Sequence, residues 1–167
     1  MSETALTLPP PAATEPPEPL ALERFLPYRL AVLTNRVSGG LAKRYSRRFA
    51  LDVPQWRVMA VLGRFPGLSA AEVAGFTAMD KVAVSRAVAR LLGARRLLRA
   101  TAPDDRRRSM LRLSPAGERI YRQIVPLARL HEDRLAGALS ETERRELDRL
   151  LEKLGEAAAA DLGASRG

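Results

Sequence analysis

No cysteine occurs anywhere in the chain, which excludes disulfides, zinc–thiolate sites and thiol redox sensing. His131 is the single histidine, and no cluster with metal-ligand spacing can be built around it, so no metal is expected. No apolar run approaches the roughly 18–20 residues of a membrane span. The opening MSETALTLPPP has neither the basic region nor the apolar core of a secretory signal. The expectation is a soluble, cytoplasmic chain with no membrane role and no cofactor. Catalytic machinery is also missing: there is no nucleophile–base pair, no phosphate-cradling glycine loop and no carboxylate pair around a plausible cleft. An enzyme is therefore not expected. Lysine is scarce beside arginine, 3 against 25. A GC-rich genome produces the same bias, so arginine content alone does not establish phosphate binding.

Positive charge is what the chain has in excess. Its formal net charge is +9 and its pI is near 11.0, which points to a polyanionic partner, nucleic acid first and an anionic membrane surface second. The charge is concentrated. Between Asp80 and Arg112 stand ten Lys/Arg against three Asp, or +7 of the +9. In the first part of this stretch Val84, Ala87, Val88, Leu91 and Leu92 recur at spacings of three and four, the signature of a helix with one apolar face. Lys81, Val82, Ser85, Arg86, Ala89 and Arg90 then share the opposite face, short-chained, hydroxylated and cationic. Two runs of strand length follow, Leu97–Thr101 and Ser109–Leu113, around the tip Ala102-Pro103-Asp104-Asp105-Arg106-Arg107-Arg108. Leu111 and Leu113 point to one side of the second strand, Met110 and Arg112 to the other. A basic helix that fits a major groove, followed by a basic hairpin that reaches the next minor groove, suits double-stranded DNA.

The flanking segments complete the layout. Residues 1–20 hold six of the twelve prolines and three Glu without a Lys or Arg, and read as a disordered Pro-rich arm. A helix is expected over 22–49, with Pro27 near its start. Gly39-Gly40 within it marks a weak point, a bend or a close helix crossing. Asp52 caps a second helix through Trp56 and Leu62, with Pro54 in its first turn. Ser69–Glu72 is a capping box that opens a short helix, Ala70–Gly75, followed by a turn from Phe76 to Met79. Asp80 caps the basic helix. Ser114 and Pro115 start a fifth helix, kinked near Pro126, and Ser140–Glu143 is a second capping box that opens a sixth. A frayed tail is expected over 161–167. The fold class is thus mainly α with a small β-hairpin wing: a winged helix-turn-helix over about 53–113, flanked by helices about 22–49 and 115–160. Those end helices carry more apolar surface than the small middle can cover, so a homodimer is expected. Its twofold axis would set two recognition helices about one DNA turn apart, suiting a palindromic operator.

This layout resembles the MarR (multiple antibiotic resistance regulator) family of winged-helix repressors over about residues 22–160, making 21–160 a single MarR-like domain. The most specific part is Asp105-Arg106-Arg107 followed by Leu111, Leu113 and Ser114, which fits the wing pattern D-x-R-x-x-x-L-x-L-[ST]. Trp56-Arg57-Val58-Met59-Ala60-Val61-Leu62 and Asp80–Val88 support it. The resemblance implies that Arg107 reaches into the minor groove, flanked by Arg106 and Arg108 at the wing tip, and that Asp105 holds it or shapes the turn. It places Lys81, Val82, Ser85 and Arg86 toward the major groove, with Arg86 on a guanine edge and Val82 on a thymine methyl. Arg90 and Arg112 become phosphate contacts. It also implies a small aromatic effector, a carboxylate or its CoA thioester, in a crevice between the winged domain and the dimer helices. Tyr28, Arg29, Trp56, Arg57 and Met59 are the candidate walls and anion partners, although Trp56 and Met59 equally fit an ordinary core. An effector bound there would shift the population away from the DNA-competent state, with Pro126 and Gly39-Gly40 as pivots. A hundredfold loss of occupancy needs only about 2.7 kcal/mol of coupling. Two rivals stand beside this reading: a non-specific nucleoid-type DNA-binding protein, and a pure protein-interaction module.

Overall fold

The computed structural model describes residues 18–101 and 109–164. The arm expected over the first twenty residues lies outside these except for 18–20, which are exposed, and the wing tip, 102–108, lies outside them entirely. Six helices and one hairpin follow in the order α1 (Leu26–Phe49), α2 (Val53–Arg64), α3 (Ala70–Thr77), α4 (Lys81–Gly93), β1 (Leu97–Thr101), β2 (Ser109–Leu113), α5 (Pro115–Ala136) and α6 (Glu141–Ala164). None of these helices is long and apolar enough to cross a membrane. The chain divides into two compact units, one ending at Asn35 and one beginning at Arg36, and α1 runs from the first into the second.

Side-chain caps set most of the boundaries. Asp52 accepts the Gln55 amide at 2.8 Å while Gln55 accepts the Asp52 amide at 2.9 Å, a reciprocal box that fixes the start of α2. Ser69 and Glu72 do the same for α3, and Ser140 and Glu143 for α6. Asp80 caps α4 through the Ala83 amide, and Ser114 caps α5 through the Gly117 amide.

Several boundaries differ from expectation. The first helix begins at Leu26, four residues later than expected, after a turn over 22–24. Pro27 has no N–H to bond back to residue 23, and it stands at the second position of α1, in the first turn, where that missing donor costs no helical bond. The third helix continues past Gly75 through Phe76 and Thr77, because the Thr77 hydroxyl donates to the Val73 carbonyl at 2.8 Å and Ala78 supplies the left-handed stop. The sixth helix reaches Ala164, past residue 161 where fraying was expected. Helix α1 is unbroken through Gly39-Gly40. A Cβ on Gly40 would lie 3.0 Å from the His131 ring, whose Nε2 lies 3.0 Å from the Val37 carbonyl oxygen, so Gly40 marks a close crossing of α1 and α5.

In the unit beginning at Arg36, the core gathers Tyr45 and Phe49 of α1, Val58, Met59 and Leu62 of α2, Val73 of α3, Val84, Val88 and Leu91 of α4, Leu97, Leu111 and Leu113 of the hairpin, and Ile124 of α5. The two strands pair antiparallel, with Leu97 opposite Leu113, Arg99 opposite Leu111 and Thr101 opposite Ser109. Strand β2 is also tied to the segment after α2: the Gly67 amide donates to the Leu111 carbonyl and the Leu111 amide to the Leu68 carbonyl, each at 2.8 Å. Gly67 holds φ +90° there, a conformation that side-chain-bearing residues rarely adopt. The wing therefore grows from a root welded to the helix-turn-helix.

Candidate nucleic-acid interface

The orientation of α4 follows from burial. Val84, Ala87, Val88 and Leu91 are buried, whereas Lys81, Val82, Ser85, Arg86, Ala89 and Arg90 are exposed. Full burial of a Val or Leu side chain is worth about 1.5–3 kcal/mol, so turning the cationic face inward would cost several such contributions. That cost fixes the basic face to solvent. Val82 is 55% exposed, an apolar side chain left on a polar face with nothing in its own domain to cover it. The helix is short, capped and projecting, dimensions that suit a major groove.

Arg90 is not a free cation. Its guanidinium donates to Asp52 Oδ2 at 3.2 Å, so the residue that caps α2 also holds an arginine of the basic face. Both side chains are largely exposed, at 68% and 43%, and water weakens the pair accordingly. Arg86 and Arg90 together with Asp52 and Pro54 border a shallow cleft of about 180 Å³ between α4 and the start of α2. Sequence reasoning missed this link. The two residues lie 38 positions apart, and neither periodicity nor a motif pairs them.

Arg112 is exposed on β2, next to the buried Leu111 and Leu113, the alternation expected of the strand. Asp105, Arg106, Arg107 and Arg108 fall outside the described residues.

The residues singled out for an effector fare unevenly. Tyr28 and Arg29 are exposed on the part of α1 that belongs to the first unit. Met59 has no exposed surface and is a core residue; as a pocket wall it is corrected here, since a side chain enclosed by its own domain offers no face to a ligand. Trp56 is 9% exposed and packs against two rings, Tyr45 at 5.8 Å and Tyr121 at 6.0 Å between centroids. Arg57 is half-buried and donates to the Ser38 hydroxyl at 3.1 Å. Burial pushes the Tyr45 phenol up to about 12; the Asp52 carboxylate adds to that rise and the Arg57 guanidinium opposes it.

A projecting, cap-fixed basic helix beside a two-stranded wing defines a winged helix-turn-helix DNA-binding protein. Comparison with known proteins narrows the class. The family model of the MarR family matches residues 51–108, which runs from the cap of α2 to the wing tip. The HTH-type transcriptional regulator BilQ of Clostridium symbiosum is 31% identical over 101 residues, covering 60% of this chain and 70% of that protein. The HTH-type transcriptional repressor Rv2887 of Mycobacterium tuberculosis is 28% identical over 132 residues, covering 78% of this chain and 91% of that protein. Among solved structures, Bordetella bronchiseptica BpsR, whose DNA binding is regulated by 6-hydroxynicotinic acid, superposes with a TM-score of 0.72 at 24% identity, covering 82% of this chain and 97% of that one. The chain belongs to the MarR family of transcriptional regulators, as the wing and recognition-helix residues implied.

Proposed function

We propose that this chain is a cytoplasmic repressor that binds a palindromic operator as a homodimer and leaves it when a small aromatic acid or its CoA thioester binds. The observation that carries the DNA reading is the face of α4, where Lys81, Val82, Ser85 and Arg86 stand exposed together over a fully buried opposite face. Arg86 takes a guanine edge, Val82 a thymine methyl, and Arg90 and Arg112 take phosphates. Arg107, carried over from the family's wing pattern, takes the minor groove beside Arg106 and Arg108, with Asp105 shaping the turn.

Dimerisation is supported by leucines that their own unit covers only in part. Leu130, Leu135, Leu147, Leu150, Leu151 and Leu154 on α5 and α6 are between 38% and 51% exposed. In the first unit Leu22, Phe25, Leu26 and Leu33 are between 40% and 58% exposed. Apolar surface repeated along helices in this way calls for a partner, and a second copy is the self-complementary one. The effector reading draws support from BpsR, a structural neighbour regulated by an aromatic acid. Trp56 and Arg57 are its proposed contacts in the unit that begins at Arg36.

The test is a titration of duplex DNA with wild type, Arg86→Ala and Arg107→Ala. On an operator duplex, Arg86→Ala is expected to lose about 1–3 kcal/mol and to relax base preference at one position per half-site. On random duplex it should lose much less. Arg107→Ala is expected to weaken operator binding strongly. If neither variant differs from wild type on any duplex, the chain does not act through this face, and the interaction-module reading takes its place.

A further inference from the structure

The chain enters the wing through Arg95 and Arg96, beside the short joint that connects α1 to α2. Arg95 stands at φ +54° and Ala50, just after α1, at φ +47°, so the backbone turns through a left-handed residue at both places. Arg96 is bonded to three elements. Its amide donates to the Leu91 carbonyl at 2.8 Å, which ties it to α4. Its carbonyl accepts the Ser114 amide at 2.9 Å, which ties it to the cap of α5. Its guanidinium donates to the Ala50 carbonyl at 3.2 Å, a contact across 46 positions of sequence. A cation there also lies at the negative end of the α1 dipole. Ser114 completes the joint by donating its hydroxyl to the Arg95 carbonyl at 2.7 Å.

The two strands of the wing are held unequally. Strand β2 has β1 on one side and the Gly67–Leu68 backbone on the other, and it buries Leu111 and Leu113. Strand β1 pairs with β2 alone among the described residues, and Leu97 is its one buried side chain. The direction in which β1 leaves the body is therefore set at its root. Two of the three Arg96 bonds are made by its backbone and survive substitution. The third is made by its side chain, and it joins the root of the wing to α1.

We infer that Arg96 is a positioning residue for the wing: its guanidinium pins the root of β1 to the end of α1 and so holds the hairpin at the angle from which its tip reads DNA. Arg96 itself then contacts neither base nor phosphate, and only the use made of the wing rests on the regulator reading. A wing that spends part of its time away from that angle lowers the apparent DNA affinity in proportion to the competent fraction lost.

The full chain is compared with Arg96→Met, which keeps an apolar stem without a donor, with Arg96→Ala, and with Arg96→Lys, which keeps one donor and the charge. Hydrogen exchange on the free protein should be faster at the amides of β1 and β2 in the Met and Ala variants, near wild type in Lys, and unchanged in the core of α2 and α4. On the duplex that wild type prefers from its own upstream region, Met and Ala should bind about three- to tenfold more weakly, with Lys recovering most of the loss. The salt slope should stay at the wild-type value, whereas loss of a direct phosphate contact lowers it by about 1 per protomer. Added to Arg107→Ala at the wing tip, Arg96→Ala should cost nothing further; added to Arg86→Ala it should cost as much as in wild type. Hairpin amides that exchange alike in Met, Lys and wild type overturn the clamp. A lowered salt slope, or the same loss with and without Arg107, overturns the positioning role. Faster hairpin exchange with unchanged DNA affinity overturns the role in DNA reading and leaves the clamp. If Arg107→Ala binds DNA like wild type, the use of the wing fails, and exchange alone decides the clamp.

Discussion

Replacing Asp52 by alanine removes two interactions at once. Its Oδ1 caps α2 through the Gln55 amide at 2.8 Å and its Oδ2 accepts from Arg90 at 3.2 Å, while the backbone amide that holds the Gln55 side chain at 2.9 Å remains. Loss of an N-cap aspartate costs about 1 kcal/mol, within a range of roughly 0.5–2. The ion pair is solvated on both sides, and exposed pairs contribute about 0–1 kcal/mol. The cap is therefore the larger effect, and Asp52→Ala is expected to lose about 1–2 kcal/mol. For a chain of this size that corresponds to a fall in Tm of roughly 2–8 °C. Asp52→Asn separates the two contributions, because asparagine caps as well as aspartate but carries no charge. It should stay within about 0.5 kcal/mol of wild type. The assay is urea unfolding followed by Trp56 fluorescence, at one fixed protein concentration because the midpoint of a dimer moves with concentration. An Asp52→Asn variant as unstable as Asp52→Ala would refute this ordering of the two contributions, and a neutral Asp52→Ala would refute the cap itself.

Other expectations follow from the same geometry. Asp52→Asn frees Arg90, so binding to random duplex should tighten and its salt slope steepen, by up to about 1 per protomer, in an anisotropy titration. A Cβ on Gly117 would collide with the Arg96 carbonyl oxygen, which already accepts the Ser114 amide at 2.9 Å, so Gly117→Ala should lose about 1–3 kcal/mol or more in urea unfolding. Gly75→Ala, with nothing within 4 Å of the new methyl, should be neutral or stabilising by up to about 1 kcal/mol. Leu91→Ala, emptying a fully buried site under the recognition face, should cost about 2–5 kcal/mol. Tyr45 ionises near 12 in the folded chain against an ordinary value of 10.0, so its contribution to stability is complete below pH 10 and is lost as pH rises from 10 toward 12. Ultraviolet titration should show Tyr45 ionising only as pH approaches about 12, and its ionisation near pH 10 would contradict its burial.

What the sequence made legible was whatever repeats locally. The spacing of Val84, Ala87, Val88 and Leu91 defined both faces of α4, and the alternation in Ser109–Leu113 defined the strand, because helix and strand periods project directly onto burial. Side-chain caps at Asp52, Ser69, Asp80, Ser114 and Ser140 could be read because a cap is a contact over three residues. Contacts over long separations could not be read. The Arg90–Asp52 pair, the seat of Tyr121 on Gly63 and the stack of Phe65 on Phe76 at 4.8 Å all depend on how the helices dock. Met59 shows the limit from the other side. An apolar residue on an amphipathic helix has the same spacing whether it faces its own core or a ligand, and only the packed fold places it at zero exposure. Helix α3 ended later than its sequence suggests because the Thr77 hydroxyl bonds back to the Val73 carbonyl, a choice that threonine also makes outside helices.

The most direct test of the DNA assignment is a fluorescence-anisotropy titration of the full chain against duplex from its own upstream region and against random duplex, at about 0.15 M salt, conditions under which non-specific phosphate contacts are already weakened. A preference of about 10³-fold or more for one palindromic site, reduced on adding a small aromatic acid, is the expected result. Equal affinity for both duplexes, unmoved by any acid, would contradict it and make the chain a non-specific, nucleoid-type DNA-binding protein.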